Sequence, residues 1–168
     1  LNEEEALGLC IRKIKKVFER EGINGEIVVV DNGSTDRSLE IAKSEGVISL
    51  IQHKRGYGAA YLKGFKESRG KYIIMADSDN SYDFYDIPKF LKALRDGYDM
   101  TMGSRFKGHM KKGAMSWSHR YIGNPILSGM CRLFFGTRLS DIHCGMRGLS
   151  RQAYKKMKLK TPGMEFAT

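Results

Sequence analysis

Three short apolar runs, each closing on a polar or charged turn and each followed by a segment of helical periodicity, constrain this chain more than any other feature. Val28-Val-Val-Asp31, preceded by Glu26 and Ile27, is an unbroken β-branched run that fits a strand buried on both faces. Residues 46–51 supply a second strand, and residues 71–76 a third that ends at Asp77-Ser78-Asp79. Ahead of them, residues 4–21 place Leu7, Cys10, Ile11, Ile14, Val17 and Phe18 at three-and-four spacing, with Asn2 as an N-cap. Ser34 or Thr35 caps a second helix to about residue 44, and a third spans 58–68. Pro88 sits in the first turn of a helix running to Asp96, and 98–102 forms a fourth strand leading into Gly103-Ser104-Arg105. Residues 106–117 read as a Gly- and Lys-rich loop, 122–135 as an apolar helix and 140–149 as a polar turn with two glycines. This alternation predicts an α/β domain with a mainly parallel sheet and helices on both faces. Ligands bind such sheets at the carboxyl ends of the strands, the edge on which Asp31 and Asp77 fall.

At 168 residues the chain suits one domain, and its 41% apolar and 29% charged content excludes disordered, collagenous and disulfide-rich classes. Cys10, Cys131 and Cys144 form no CxxC pair, which argues for reduced thiols in a reducing compartment. No run of 18 apolar residues occurs. Charge is divided unevenly: residues 1–84 hold 13 Lys/Arg against 14 Asp/Glu, and residues 85–168 hold 16 against 5. Between Met100 and Met164 the only acid is Asp141, against 13 basic residues, so this half suits an anionic partner: phosphate, nucleic acid or acidic lipid headgroups.

The sharpest chemical signal is Asp77-Ser78-Asp79. Two carboxylates one residue apart, just after a strand, can converge on a divalent cation, and hard oxygen ligands suit Mg²⁺ or Mn²⁺ carrying phosphate. Gly56-Tyr57-Gly58 opens like a dinucleotide fingerprint, with Asp77 at the distance of a ribose-binding acid; this supports an NAD-dependent oxidoreductase as a rival. Tyr61 stands where that fingerprint needs its third glycine. His53, His109, His119 and His143 show no zinc-ligand spacing, and no GxSxG elbow occurs. A basic nucleic-acid-binding module is a further rival, but the chain lacks the interleaved aromatic and basic residues of single-strand binders.

Taken in order, Val28-Val-Val-Asp-Asn-Gly-Ser-Thr-Asp36, Asp77-Ser-Asp79, Gly103-Ser-Arg105 and Asp141-Ile-His-Cys-Gly-Met-Arg147 resemble the inverting family-2 glycosyltransferases of GT-A fold. The branch they look most like is the polyprenol-phosphate glycosyltransferases, similar to dolichol-phosphate mannose synthase. The resemblance covers nearly all of residues 1–168 as one catalytic domain, partial at both ends. Even Leu1-Asn2-Glu3 resembles the tail of the motif after the family's first strand, so the resemblance implies a piece lacking that strand.

The resemblance further implies an enzyme that moves a hexose from a UDP- or GDP-linked sugar to a polyprenyl (dolichyl or undecaprenyl) phosphate on the cytoplasmic face of a membrane, in glycan or envelope biosynthesis. Nucleotide-sugar binding then falls to Asp31, Ser34, Gly58, Asp77, Ser78 and Asp79, with Mg²⁺ or Mn²⁺ on Asp79 and Asp77. Arg105, Arg120 and Arg147 position the acceptor phosphate, and Asp141 lies near the acceptor or acts as a base. Relatives often carry Gln and Pro after the second Asp, where this chain has Asn80-Ser81-Tyr82-Asp83. The same donor chemistry with a polysaccharide or glycan acceptor is the nearest alternative. The helix over 122–135 fits either a membrane interface or the core.

Overall fold

The structure, a computed structural model, describes residues 1–104, 123–136 and 141–167. Through α5 its elements follow the expected alternation, and β5 and α6 are added by the structure: α1 (Leu7–Arg20), β1 (Val28–Asp31), α2 (Ser38–Ser44), β2 (Ile48–Ile51), α3 (Tyr57–Glu67), β3 (Tyr72–Met75), α4 (Ile87–Arg95), β4 (Met100–Met102), α5 (Asn124–Phe135), β5 (Arg147–Ser150) and α6 (Arg151–Met157). Short 3₁₀ turns at Phe84–Asp86 and Met164–Ala167 complete it.

β1 and β2 pair in parallel, Val28 against Ile48 through Asp31 against Ile51. β3 and β4 run in one common direction with β5 between them, antiparallel to both. β5 overlaps the end of the stretch expected to be a polar turn. Only four residues long and interrupted by Gly148, it has no periodicity to read, and its pairing partners make it a strand.

β3 shows how both faces are covered. Ile73 and Met75 point into a cluster with Phe65 of α3 and Leu149, against which Tyr154 of α6 packs. Ile74 and Ala76, on the alternate face, pack against Cys10 and Val17 of α1, Phe84, and Ile87 and Phe90 of α4. β1 is arranged likewise. Val29 meets Leu7 and Ile11 of α1 and Ala42 of α2, while Val30 lies under Gly64 of α3. Its residues are nevertheless half-buried rather than enclosed, because β1 hydrogen-bonds only to β2 among the described residues. Among the described residues the β1–β2 and β3–β5–β4 ladders are thus joined by α1 and α3, which pack on both, and not by strand hydrogen bonds.

Local capping departs from expectation in two places. Asn2 does not cap α1; it binds the turn after β1, its amide donating to Ser34 Oγ (3.1 Å) and its Oδ1 accepting from the Thr35 amide (2.9 Å). Ser34 and Thr35 are thereby engaged, and Asp36 Oδ1 instead accepts from the Ser38 amide at the start of α2 (3.0 Å).

Candidate active site

Asp31 ends β1 and folds back on the following turn. Its carboxylate accepts from the Gly33 and Ser34 amides at 3.1 Å, an Asx turn that needs φ +97° at Gly33. Burial works to raise the Asp31 carboxyl, but hydrogen bonds from Ser34 and Gly33 outweigh it and hold the group below the ordinary aspartate range. The adjoining Asn32 is buried and fastens this turn to the next loop. Its Nδ2 donates to the Gln52 and Lys54 carbonyls (2.7 and 2.8 Å), and its Oδ1 accepts from the Gly56 amide (2.8 Å). The basic loop is thereby drawn beside Asp31, with the Arg55 guanidinium lying over Gly33, where a Cβ would approach it to 2.6 Å. Neither Asn32 nor Arg55 stands out from sequence spacing, because the latch joins segments 20 residues and more apart.

Gly56 and Tyr57 carry the connection onward to Asp77. Tyr57 and Tyr61, one turn apart on α3, both donate to Asp77 Oδ1 (3.1 and 2.9 Å), and Tyr82 donates to Oδ2 (3.4 Å). Burial, with the Asp77 charge adding to it, raises all three phenols above their usual range, Tyr61 and Tyr82 furthest, so they remain donors at neutral and mildly alkaline pH. Asp79 differs from Asp77 in being exposed, with Oδ1 accepting from the Ser81 amide (2.9 Å). Between them, the Ser78 carbonyl accepts from Cys10 Sγ of α1, and Lys13 of α1 binds Asn80 Oδ1 at 2.7 Å, so α1 fixes the turn from below.

Gly58 lies in the first turn of α3, where its amide donates to the Gly163 carbonyl and that of Ala59 to the Pro162 carbonyl (3.1 and 2.9 Å). A Cβ at Gly56 or Gly58 would come within 2.2 Å of the Pro162 or Thr161 carbonyl oxygen. The glycines of the supposed dinucleotide fingerprint are therefore required by this close backbone approach, and the Gly58 amide is already engaged.

Residues 141–147 form the opposite wall. Asp141 is 1% exposed and accepts from the His143 amide (3.3 Å). Arg147, 8% exposed, donates to the Cys144 and Ile142 carbonyls, and its charge bears on Tyr57. Gly145 touches the tyrosine cluster, its amide donating to Tyr82 Oη at 3.0 Å. The structure thus gathers Asp77, the tyrosines and the 141–147 turn, and links Asp31 and Ser34 to them through residues 56 and 57. Arg105 and Arg120 lie outside the described residues.

Among the described residues no three His, Cys, Asp or Glu side chains converge, so any cation here would draw much of its coordination from substrate. The donor set suits Mg²⁺ or Mn²⁺ on these terms: carboxylate oxygen only, with Asp79 exposed and Asp77 beside it.

Residues 1–158 match the family described as "Glycosyl transferase family 2". A low-salt glycan biosynthesis hexosyltransferase of Haloferax volcanii is 45% identical over all of this chain and 41% of its own length. A dolichyl-phosphate hexose transferase of the same organism is 31% identical, with 90% of this chain and 63% of the relative covered. Among solved structures, glucosyl-3-phosphoglycerate synthase of Mycobacterium tuberculosis with Mn²⁺, UDP-glucose and phosphoglyceric acid superposes at TM-score 0.69 and 21% identity, over 90% of this chain and 54% of the other. This likeness establishes the GT-A fold that the resemblance implied. The chain spans about half the length of the proteins it matches, 41% to 63% across these three. With the family's pattern running through 158 of its residues and its acidic turns at the carboxyl ends of β1 and β3, the chain belongs to glycosyl transferase family 2.

Proposed function

We propose that this domain transfers a hexose, with inversion, from a nucleotide-diphosphate sugar to a polyprenyl phosphate. The observation that carries this reading is the pair of acidic turns, at Asp31 and at Asp77–Asp79, joined through Gly56 and Tyr57 and walled by the turn holding Arg147. Support comes from relatives and neighbours: one is named for dolichyl phosphate, another for undecaprenyl phosphate, and a solved neighbour holds Mn²⁺ with UDP-glucose.

In this reading Asp31 and Ser34 hold the base and ribose, while Asp77 and Ser78 face the nucleotide. Asp79, with Asp77, holds Mg²⁺ or Mn²⁺, which when bound supplies Lewis-acid neutralisation of the charge on the departing diphosphate. The acceptor is a phosphate monoester whose second pKa near ~6 leaves it largely ionised at neutral pH, so it needs little help from a base. Its need is for cations to orient it. Arg147, whose charge bears on Tyr57, is one of that set in this reading, with Arg105 and Arg120 the others. Asp141, buried in the same turn, orients the acceptor side.

A membrane surface fits the outer face of α5, where Leu133 and Phe134 are 79% and 69% exposed and Ile126, Leu127 and Met130 accompany them. Among the described residues no helix is long and apolar enough to cross a membrane. A glycan acceptor is the second reading, favoured by the name of the 45% identical hexosyltransferase. Extraction of labelled product into organic solvent separates the two, since only a lipid-linked sugar partitions there.

The donor site is tested by thermal unfolding with UDP, GDP and NAD, each with and without Mn²⁺. A ligand at ~100 times its dissociation constant adds about 2.7 kcal/mol. Stabilisation by one nucleoside diphosphate that requires Mn²⁺ and disappears in Asp79→Ala is expected; stabilisation by NAD without metal would overturn the reading.

A further inference from the structure

Tyr82 has no part in the transfer chemistry above, yet its hydroxyl stands between the two walls of the site. It donates to Asp77 Oδ2 at 3.4 Å and accepts from the Gly145 amide at 3.0 Å. Asp77 Oδ1 already has two donors, Tyr57 and Tyr61, whereas on Oδ2 Tyr82 is the one donor among the described residues. The approach is tight: a Cβ at Gly145 would lie 2.5 Å from Tyr82 Oη and 2.8 Å from Asp77 Oδ2. Only glycine lets the 141–147 turn come so near the carboxylate. The Tyr82 ring packs on the buried cluster that includes Cys144 and Met146, the residues on either side of Gly145. Ring and hydroxyl therefore grip the same turn. A hydroxyl that accepts from an amide is also polarised toward stronger donation, which favours its bond to the carboxylate.

Resting on the transferase reading, we propose that Tyr82 is a positioning residue that holds Asp77 of the donor side in fixed relation to the acceptor-side turn bearing Asp141 and Arg147. Tyr82→Phe removes the donor on Oδ2 and strips the Gly145 amide of its acceptor. Tyr57→Phe removes one of two donors on Oδ1 and leaves the 141–147 turn untouched.

The test titrates the intact protein and both variants with the stabilising nucleoside diphosphate plus Mn²⁺, and separately with a short-chain polyprenyl phosphate; thermal unfolding verifies that each variant is folded. Tyr82→Phe is expected to weaken both ligands by about tenfold, the scale of one hydrogen bond to a charged group, and Tyr57→Phe the nucleotide alone by about threefold. Replacing Tyr82 by 4-aminophenylalanine, which keeps the donor to Oδ2 but is a poor acceptor for the Gly145 amide, is expected to restore the nucleotide affinity and not that for polyprenyl phosphate. A purely structural role would instead lower thermal stability and leave the two affinities of the folded variant at wild-type values, which overturns the proposal. So does a folded 4-aminophenylalanine variant that leaves the nucleotide affinity as weak as Tyr82→Phe does. If the wild-type protein binds neither ligand, the transferase reading falls and this inference with it. If it binds both and Tyr82→Phe binds them equally well, this inference alone falls.

Discussion

Asp31 and Asp77 are both carboxylates at the carboxyl ends of strands, but their donors differ, and so does what each tolerates. Asp31 is held by backbone amides of its own turn, so its folded pKa lies below the unfolded value. A depressed carboxylate contributes stability that is fully present above the unfolded pKa, near ~4, and is lost as pH falls through the folded value. Asp31→Asn is expected to flatten part of the acid limb of a stability–pH curve measured by urea unfolding and to leave the limb above pH 6 unchanged in shape. Gly58 offers a second test at this scale. Its absent Cβ makes room for the Thr161 carbonyl oxygen at 2.2 Å, and a backbone atom cannot swing aside. Gly58→Ala is therefore expected to cost about 1–3 kcal/mol, as overpacking does, read as a lower urea midpoint at constant slope.

At the scale of elements, α5 carries the clearest prediction. Its exposed Leu133 and Phe134 form no part of a buried cluster, and Arg132 is the one charged side chain among its twelve residues. Leu133→Glu with Phe134→Glu is expected to weaken sedimentation with anionic vesicles without lowering the melting temperature; unchanged sedimentation would remove α5 from the proposed membrane contact. The elements also show what the sequence made legible. β1, β2, β3, α3 and α4 are local objects whose apolar runs or periodic stripes are written in consecutive residues, and they lie within a few residues of the predicted bounds. β5 was hidden because its strand character comes from β3, more than 70 residues away, and β4, at least 45 residues away. The same holds within the site. Asp31, Asp77, Asp79 and Asp141 were visible as acids in motifs, but the tyrosines that shape Asp77 were not, because Tyr57, Tyr61 and Tyr82 converge only once α3 lies beside β3. Asn2 misled for a related reason: as a good cap residue it satisfied a local rule, but the turn after β1 offered it three partners.

For the molecule as a whole, charge is the governing quantity. The net charge of +10 comes from its second half, where Asp141, the single acid between residues 100 and 164, is buried. Binding to vesicles containing anionic lipid is expected to weaken steeply with salt, since each surface Lys or Arg contributes about 1 kcal/mol within a Debye length. Binding that is indifferent to ionic strength would assign the attraction to α5 alone. The division of the described strands into two ladders with no strand pairing between them bears on a different property. Amide protons in a continuous sheet exchange with solvent through one cooperative opening, whereas here the β1–β2 amides and the β3–β5–β4 amides answer to separate sets of bonds. Native-state hydrogen exchange is therefore expected to resolve two protection classes with distinct opening free energies. The shorter ladder should be the first to release its protons, with Asp31 and the turn that follows it going along.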